Sequence, residues 1–444
     1  MMPGSDRMDD TLRRLLDNRE AQGRRRRLTL APPGAVDFSS NSYLSLAAHP
    51  ALKKRYLALL ERSGDAFSLG SGGSRLLDGN NALTEQLERR IAAFHRAPAG
   101  LLFNSGFDAN AGLFGCAPQP GDAVVYDALI HASVHDGMRL GRADTRLPFA
   151  HNTVDGGADA DGTPGSLSAV LDGLCRGPHG DEFRSGRRNV FVAVEGVYSM
   201  DGDVAPLRDI VACVRERLPR GNGHIIVDEA HSTGILGPRG RGLVCHLGLE
   251  DEIWARVHTF GKAMGCSGAI VLCSPTTRSY LINYARSLIY TTALGYPSLA
   301  AIQTTYEYLA AGLADGQHAN LQALTRQAHG RLGRLCRQHR IPPVVLRINP
   351  TLPESPILPL FTALARELAA YCQQHGFLLR AIVAPTVPAG TDRVRLCLHA
   401  GNTTDEVDAL CKTIETWACE KMGSEATGVE DMEKSIVKSE ISRL

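Results

Sequence analysis

The sequence lacks a strong overall charge, long apolar runs and paired cysteines, and each absence excludes a class of protein. The formal net charge of the 444-residue chain is +1, so no overall field attracts nucleic acid or an anionic membrane. None of the 11 cysteines belongs to a Cys-x-x-Cys pair, which argues against a zinc site and a disulfide framework and indicates a reducing compartment. The longest uncharged stretch, residues 287–306, is interrupted by Gly295 and Pro297 and does not predict a membrane span. We therefore expect no metal, nucleic-acid or membrane partner.

The two ends of the chain differ in character. Residues 1–45 are predicted to form an arm with a helix over residues 9–30, and the acidic residues among its arginines argue against a mitochondrial transit peptide. Residues 423–444 are polar and charged, as in a flexible, exposed tail. This tail closes with Ser442-Arg443-Leu444, a conservative variant of the Ser-Lys-Leu peroxisomal signal. We expect the peroxisomal import receptor to bind it, which would place the protein in the peroxisome and otherwise in the cytoplasm.

Between these ends the sequence predicts an α/β fold in two domains. Short apolar runs alternate with helix-length segments between residues 99 and 274, as in a mostly parallel sheet with helices on both faces. The runs are residues 100–104, 123–126, 189–195, 224–228, 256–260 and 269–273. We assign residues 46–296 to this large domain and residues 297–422, with strands at 357–360 and 394–398, to a smaller C-terminal α/β domain. The Gly- and Asp-rich residues 155–188 predict a flexible surface insertion.

One lysine, Lys262, follows a predicted strand and is flanked by Gly261 and Gly265, where the backbone can approach a ligand closely. In a cleft, desolvation and a neighbouring cation would lower the pKa of this amine and make it nucleophilic. Asp228 and His231 follow another predicted strand. A carboxylate at that place could hold the protonated ring nitrogen of pyridoxal phosphate (PLP), and the histidine could reach its phenolic oxygen. The sequence therefore predicts amine–carbonyl chemistry on PLP.

Other predicted strands end in residues that suit the same cofactor. Ligands of parallel sheets bind beyond the carboxyl ends of the strands, where all these residues fall. Ser105 and Gly106 open a helix, whose free N–H groups could bind the phosphate, and Thr259 could add a hydroxyl. His131 could stack on the pyridine ring, and Ser199 could bond the phenolic oxygen. Each residue taken alone is equally well explained as a helix cap or turn residue, so the argument rests on their convergence.

Seven stretches of the sequence resemble the α-oxoamine synthases, which are PLP enzymes of the aspartate aminotransferase-like fold (fold type I). They lie at residues 38–44, 70–75, 102–107, 195–202, 227–234, 259–263 and 385–391. The resemblance implies an acyltransferase that joins an amino acid to an acyl-CoA with loss of CO₂. Within the family the chain looks most like the members of the biotin pathway, which condense L-alanine with pimeloyl-CoA.

The resemblance also implies roles for individual residues. Lys262 is similar to the Schiff-base lysine of the family, and the implied catalytic residues are Lys262, His131, Asp228 and His231. The implied cofactor contacts are Gly106, Phe107, His131, Ser199, Asp228, His231, Thr259, Lys262, Thr291 and Thr292. Of these, Thr291 and Thr292 match a pair that reaches the phosphate of the partner subunit, which implies a homodimer. The implied substrate contacts are Arg26, Asn41, His131, Thr386 and Arg395, of which Asn41 and Arg395 match the residues that hold the amino-acid carboxylate.

Two other functions remain open at this stage. Val383 stands where family members often carry an arginine before the Pro-Thr-Val-Pro motif, so the acyl group is not determined. A sibling synthase that uses another acyl-CoA or another amino acid fits the same motifs. The second alternative is a non-catalytic partner subunit. The presence of Lys262, Asp228 and His231 together argues against it, because such subunits typically lose the lysine.

Overall fold

The computed structural model describes residues 5–64, 67–157 and 164–425. The strands within these ranges are β1 (Val36–Asp37), β2 (Ala99–Phe103), β3 (Ala123–Asp127), β4 (Thr145–Phe149), β5 (Val190–Glu195), β6 (Gly223–Asp228), β7 (Ala255–Thr259), β8 (Ala269–Cys273), β9 (Ile357–Phe361), β10 (Phe377–Leu378), β11 (Arg380–Ile382) and β12 (Arg393–Cys397). The helices are α1 (Ser5–Ala21), α2 (Pro50–Arg62), α3 (Ala82–Phe94), α4 (Gly106–Cys116), α5 (Ala132–Leu140), α6 (Leu167–Arg176), α7 (Gly180–Arg184), α8 (Leu207–Arg217), α9 (Leu243–Leu247), α10 (Pro275–Tyr284), α11 (Arg286–Ile289), α12 (Tyr296–Ala310), α13 (Asp315–Gln338), α14 (Ala365–Gln374) and α15 (Thr404–Glu425). Within the same ranges, no helix combines the length and the apolar character that crossing a membrane requires.

Strands β2 to β8 form a seven-stranded sheet in the order β2-β8-β7-β6-β5-β3-β4. Neighbouring strands are parallel except at β8, which runs antiparallel to both β2 and β7. Every residue of β5 is buried. Val190, Val192 and Val194 belong to one hydrophobic cluster, whereas Phe191 and Ala193 belong to another. Since successive side chains of a strand point to opposite faces, both faces of the sheet are covered, and the predicted mostly parallel α/β sheet is confirmed.

The edge strand β4 was not predicted from the sequence. Its residues are mostly half-buried rather than uniformly buried, and it includes Pro148. Proline cannot donate to a ladder and is confined mainly to edge strands, which is where β4 lies. A strand of this kind carries neither a continuous apolar run nor a clear alternation, so its sequence resembles that of a loop.

The C-terminal part contains a small antiparallel sheet in the order β11-β12-β9. Its strands β9 and β12 overlap the predicted strands at 357–360 and 394–398. The N-terminal arm joins this part, because Val36 and Asp37 of β1 pair in parallel with β10. One hydrophobic cluster runs from Phe38 and Tyr43 through Phe260 to Trp417. The arm, the large sheet and the C-terminal part thus share a core, and the boundaries at residues 45, 296 and 422 stay predictions.

Two sequence-based expectations about local structure were wrong. The arm helix α1 spans Ser5–Ala21 rather than residues 9–30. Gly23, two residues past its end, has a φ of +61° and suits a left-handed helix terminus. Residues 164–188 are not a flexible insertion, because they contain α6, capped by Ser166, and α7. The final helix α15 extends past residue 422 to Glu425. Ser442-Arg443-Leu444 lies outside the described residues.

A half-buried histidine after β4 joins the end of β3 to the loop that follows β5. His151 Nδ1 lies 2.9 Å from Asp127 Oδ1, and His151 Nε2 lies 2.7 Å from Asp203 Oδ2. Burial disfavours the charged imidazole, but the hydrogen bonds to the two carboxylates outweigh it and raise the pKa of His151 to about 10. His151 is therefore a cation that holds together two loops near the carboxyl end of the sheet.

This clamp predicts a pH-dependent stability. The folded pKa lies above the value of about 6.5 for an unfolded histidine, so the contribution of His151 is fully present below pH ~6.5 and is lost as the pH rises towards 10. In urea unfolding between pH 6.5 and 9.5, wild type should lose stability relative to His151→Gln, by at most about 1.4 kcal/mol per pH unit. Burial lowers the pKa of His224, so the His224→Gln control should differ from wild type by a nearly constant amount above pH ~7.5, once the unfolded histidine is neutral too. A constant difference for His151→Gln as well would contradict the clamp.

Candidate active site

The carboxyl ends of the parallel strands bring several of the predicted residues together. Asp228 is the last residue of β6 and stands opposite Glu195 of β5 and Val257 of β7 in the register of the sheet. Lys262 follows β7 in the loop that leads to β8. A turn closed by the hydrogen bond from Gly265 N to Lys262 O, 2.9 Å long, shapes this loop. The edge of the sheet predicted from the sequence is therefore where the lysine and the aspartate lie.

The environment of Lys262 favours its neutral amine. Burial lowers the pKa of Lys262, the carboxylates of Asp228 and Glu195 oppose that shift, and the guanidinium of Arg395 adds to it. Burial also raises the pKa of Glu195 well above its usual value, and the neighbouring charge of Asp228 reinforces this effect. A lysine with a lowered pKa is a better nucleophile and base at neutral pH. Lys262 thus has the electrostatic setting that the sequence predicted for it.

Asp228 is buried and has its carboxylate held on both oxygens. Oδ1 accepts a hydrogen bond from the Ala230 N–H at 2.9 Å, and Oδ2 accepts one from the Asn110 side-chain amide at 2.7 Å. Neutral donors orient the group but leave its negative charge uncompensated. A buried carboxylate of this kind favours a cation beside it, as the protonated ring nitrogen of PLP would be.

Arg395 is connected to His231 through the N-terminal arm. Arg395 Nη2 donates to Asn41 Oδ1 at 2.5 Å and to the Tyr43 hydroxyl at 3.0 Å. That hydroxyl lies 2.8 Å from His231 Nδ1. Burial lowers the pKa of His231 well below its usual value, with the cations of Lys262 and Arg395 adding to the effect. Arg395 Nε is buried without a hydrogen-bond partner among the described residues, so the guanidinium can still bind an anion such as a carboxylate.

His131 caps the helix that follows β3. Its Nδ1 accepts the Ser133 N–H at 3.2 Å, which makes His131 the N-cap of α5, and the Ser133 hydroxyl lies 2.8 Å from the same nitrogen. Burial lowers the pKa of His131; the charge of Asp228 opposes the shift and that of Lys262 adds to it. Ser133 bonds in turn to Asn110, which bonds to Asp228, so His131 lies close to Asp228, as a ring-stacking residue requires.

The predicted phosphate end forms at the start of α4. Ser105 is its N-cap, with Oγ accepting the Asp108 N–H at 3.1 Å. A Cβ on Gly106 would lie 3.2 Å from Oγ1 of Thr259, so the absence of a side chain lets the helix start meet the threonine. Phe107 is 47% exposed in the single chain. A helix N-terminus beside a hydroxyl group is a setting that suits a phosphate.

The remaining predicted residues lie less centrally. Thr291 Oγ1 accepts from Asn104 Nδ2 at 3.3 Å, so Thr291 is near the phosphate end of this same chain, and Thr292 is exposed. Ser199 is half-buried in the loop after β5. Thr386 and Arg26 are both exposed, and none of the described contacts joins either to the group around Lys262. The roles predicted for these residues stay predictions.

Four site residues were missed from the sequence: Tyr43, Asn110, Ser133 and Glu195. Tyr43 and Glu195 lie within stretches that resemble the α-oxoamine synthases, so these motifs were the available signal for them. Asn110 and Ser133 lie inside α4 and α5, where an isolated polar residue indicates nothing by itself. Asn110 bonds to Ser133 and Asp228, which are 23 and 118 positions away, and only the packed fold shows these contacts.

Taken together, these residues fit PLP. Lys262 offers the amine, Asp228 the buried carboxylate for the ring nitrogen, and the start of α4 with Thr259 the donors for the phosphate. Arg395, whose Nε has no partner among the described residues, offers an anion site that is linked to His231 through Tyr43. The arrangement suits an amino acid bound through both its nitrogen and its carboxylate.

Comparison with known proteins agrees with this geometry. Residues 33–414 match the model of the family described as aminotransferase class I and II. The chain is 53% identical, over 92% of its length and 95% of the relative, to an 8-amino-7-oxononanoate synthase of Emericella nidulans. It is also 38% identical, over 89% of its length and 83% of the relative, to the aminoacyl transferase sphA of Aspergillus fumigatus.

A solved structure extends this similarity to three dimensions. The serine palmitoyltransferase from S. paucimobilis with bound PLP-myriocin superposes with a TM-score of 0.73. The match covers 88% of each chain at 25% sequence identity. The fold type expected from the sequence, aspartate aminotransferase-like, is confirmed.

The contact of Gly106 with Thr259 predicts a cofactor-binding defect. In Gly106→Ala the added methyl group would crowd Thr259, and because overpacking typically costs about 1–3 kcal/mol, the dissociation constant for PLP should rise about tenfold. Fluorescence titration of apo-protein with PLP measures this constant. Gly173→Ala is the matched control, since a Cβ there has no atom within 4 Å among the described residues. Equal constants for both variants would contradict the predicted phosphate site.

Proposed function

The chain belongs to the PLP-dependent α-oxoamine synthases within the class I and II aminotransferase family, and from that premise we propose that it condenses L-alanine with pimeloyl-CoA. The products would be 8-amino-7-oxononanoate, CoA and CO₂, which places the reaction in biotin biosynthesis. The chain is an acyltransferase by family, and the proposal concerns its two substrates. The observation that carries it is the buried Arg395, which keeps a free Nε next to the group around Lys262.

PLP, when bound, withdraws electrons from the Cα of an amino acid joined to its aldehyde carbon. Lys262 would hold the cofactor and then, once displaced by the substrate amine, remove the Cα proton of L-alanine. Its lowered pKa suits that second role, because a base must be neutral before it can accept a proton. Asp228 would keep the ring nitrogen protonated, since a buried carboxylate stabilises the positive charge.

The carboxylate of the amino acid would bind Arg395. Asn41 and Tyr43 already accept hydrogen bonds from Nη2 of this guanidinium, which fixes its plane and leaves Nε available. The Cα of L-alanine then attacks the thioester carbonyl of pimeloyl-CoA and CoA leaves as its thiol. His131 would donate a hydrogen bond to the acyl oxygen as charge develops there. Loss of CO₂ from the resulting β-keto acid and protonation at Cα would follow. Lys262 would then displace the product amine from the cofactor, which completes the balance of atoms.

We also propose that the active enzyme is a homodimer. Leu69, Leu77 and Tyr290 are exposed large apolar residues in the single chain, and Tyr290 is next to Thr291. The segments that carry them meet where Ala293 N donates to Gly73 O at 2.9 Å, and exposed apolar residues that cluster in one place commonly mark an interface. An interface at this place would bring the exposed Thr292 towards a partner subunit, as the resemblance implies.

The direct test measures CoA thiol release and product mass with L-alanine and pimeloyl-CoA. Wild type should release one thiol for each 8-amino-7-oxononanoate formed. Lys262→Ala should lose at least about 100-fold in kcat, since general base catalysis supplies about 10²–10⁴-fold. Lys412→Ala is the matched control, because Lys412 is an exposed lysine paired only with Glu415 in the described contacts.

The same assay separates the alternatives when run with glycine, L-serine and acyl-CoA thioesters of other chain lengths. Activity confined to one of these substrates would replace the proposal by a sibling synthase, a possibility favoured by the 38% identity to an aminoacyl transferase and by Val383. Bound PLP without thiol release from any substrate would identify a non-catalytic subunit. Near wild-type activity of Lys262→Ala would exclude that lysine as the base.

Peroxisomal import through Ser442-Arg443-Leu444 is a further part of the proposal. It is supported by the likeness of these three residues to the Ser-Lys-Leu signal and by the polar residues before them. A fluorescent protein fused to the N-terminus of the full chain should colocalise with a peroxisomal marker, and deletion of the three residues should leave it diffuse. Arg443→Lys should preserve import. Diffuse fluorescence of the intact fusion would refute it.

A further inference from the structure

An asparagine that no sequence motif indicated lies between the two sides of the PLP site. Asn110 lies on α4, is 1% exposed, and donates both protons of its side-chain amide. One proton goes to Asp228 Oδ2 at 2.7 Å and the other to the Ser133 hydroxyl at 3.0 Å. The amide cannot be flipped, because its oxygen would then face the Asp228 carboxylate. The arrangement of donors is therefore determined by the charge of Asp228.

The direction of the next hydrogen bond follows from this one. Since the Ser133 oxygen accepts a hydrogen bond from Asn110, the Ser133 hydroxyl is free to donate one to His131 Nδ1, 2.8 Å away. The backbone N–H of Ser133 also points to that nitrogen, at 3.2 Å. His131 Nδ1 is thus an acceptor and carries no proton.

The tautomer of His131 is a consequence. In a neutral imidazole whose Nδ1 accepts, the proton is on Nε2. Partial desolvation lowers the pKa of His131, which favours the neutral ring. His131 can then offer Nε2–H as a hydrogen-bond donor, which is the role that the proposed reaction needs at the acyl oxygen. The opposite tautomer would present a lone pair there and repel the developing charge.

We propose that Asn110 is a positioning residue that, through Ser133, couples the Asp228 carboxylate to the tautomer and orientation of His131. The role of His131 Nε2–H rests on the proposed function. The role of Asp228 requires only that the chain binds PLP. Asn110 orients the carboxylate that would hold the ring nitrogen, and Ser133 transmits the same constraint to the ring that would cover the cofactor. Asn110 Oδ1 has no hydrogen-bond partner within the described part of the chain, which fits this assignment, because the residue then acts through its two donated bonds.

The chain contains a matched control for a purely structural role. Asn222 is also buried, donates both amide protons, to the carbonyl oxygens of Phe183 and Arg188, and has an Oδ1 without a partner among the described residues. It precedes β6, at the strand end opposite to Asp228. Asn222→Ala therefore removes two donated side-chain hydrogen bonds from a buried asparagine, as Asn110→Ala does, but at a place away from the PLP site.

The experiment compares Asn110→Ala, Ser133→Ala, their double variant, Ser133→Thr and Asn222→Ala. For each, PLP affinity is measured by fluorescence titration of apo-protein, the visible absorption of bound PLP is recorded, and the melting temperature of apo-protein is determined. Loss of a hydrogen bond to a charged group should weaken PLP binding about tenfold in Asn110→Ala and shift the absorption maximum. Asn222→Ala should lower the melting temperature and leave PLP affinity within about twofold of wild type.

The coupling of Asn110 to His131 through Ser133 is tested by the double variant and by the conservative variant Ser133→Thr. If Asn110 and Ser133 act as one chain, the PLP affinity of the double variant should equal that of Asn110→Ala instead of showing the product of both effects. Ser133→Thr keeps the hydroxyl and should restore the wild-type absorption maximum, while Ser133→Ala shifts it. Independent, multiplicative effects of the two single variants would overturn the proposal. An Asn110→Ala variant that melts earlier but binds PLP like wild type would overturn it too. If Asn110→Ala does not fold, the comparison of Ser133→Ala with Ser133→Thr decides.

These measurements need no acyl-CoA or amino acid. A chain that proves to use substrates other than pimeloyl-CoA and L-alanine would therefore leave the result on Asn110 unaffected. In wild type and Asn110→Ala, the split between kcat and KM for the identified substrates then tests the acyl-oxygen step, because a positioning effect on His131 Nε2 should lower kcat more than it raises KM.

Discussion

The negative charge of Asp228, buried at the end of β6, is the interaction on which the site depends. Burying an unpaired carboxylate costs several kcal/mol, so its surroundings must compensate it. Ala230 and Asn110 supply donors, Lys262 supplies a nearby cation when protonated, and bound PLP would supply a pyridinium. The neighbouring Glu195 adapts in the opposite way, because burial and the charge of Asp228 favour its neutral form. Burial and this one charge together thus influence the protonation of the groups around them.

A second charged region balances the first. Arg395 is held by Asn41 and Tyr43 from the N-terminal arm, and Tyr43 reaches His231, which follows Asp228 on the same loop. The arm itself is anchored where β1 pairs with β10 of the C-terminal part. Segments distant in sequence therefore meet at one place, with a cation on one side and a carboxylate on the other. An amino acid and PLP carry the complementary charges.

The sequence predicted the central sheet because its inner strands are uniformly apolar and alternate with helices. It likewise predicted that Lys262, Asp228 and His131 would lie at one edge, since that follows from parallel strands alone. It failed for β4, whose half-buried residues and proline carry no strand pattern. It also failed for residues 164–188, where composition suggested flexibility but Ser166 and the apolar positions of α6 form a packed helix. The homologous motifs suggested roles for Arg26 and Thr386, which the single chain leaves exposed.

The sequence by itself determined the fold class and indicated the candidate PLP lysine and strand-end residues, because each depends on local patterns: apolar periodicity, glycines beside a lysine, and a polar residue after a strand. The tertiary structure alone decided which of these residues interact and in what direction. The bonds from Tyr43 to His231 and from Asn110 to Asp228 join residues 188 and 118 positions apart. Hydrogen-bond direction, tautomer and pKa depend on distances and burial, and these exist only once the chain has packed.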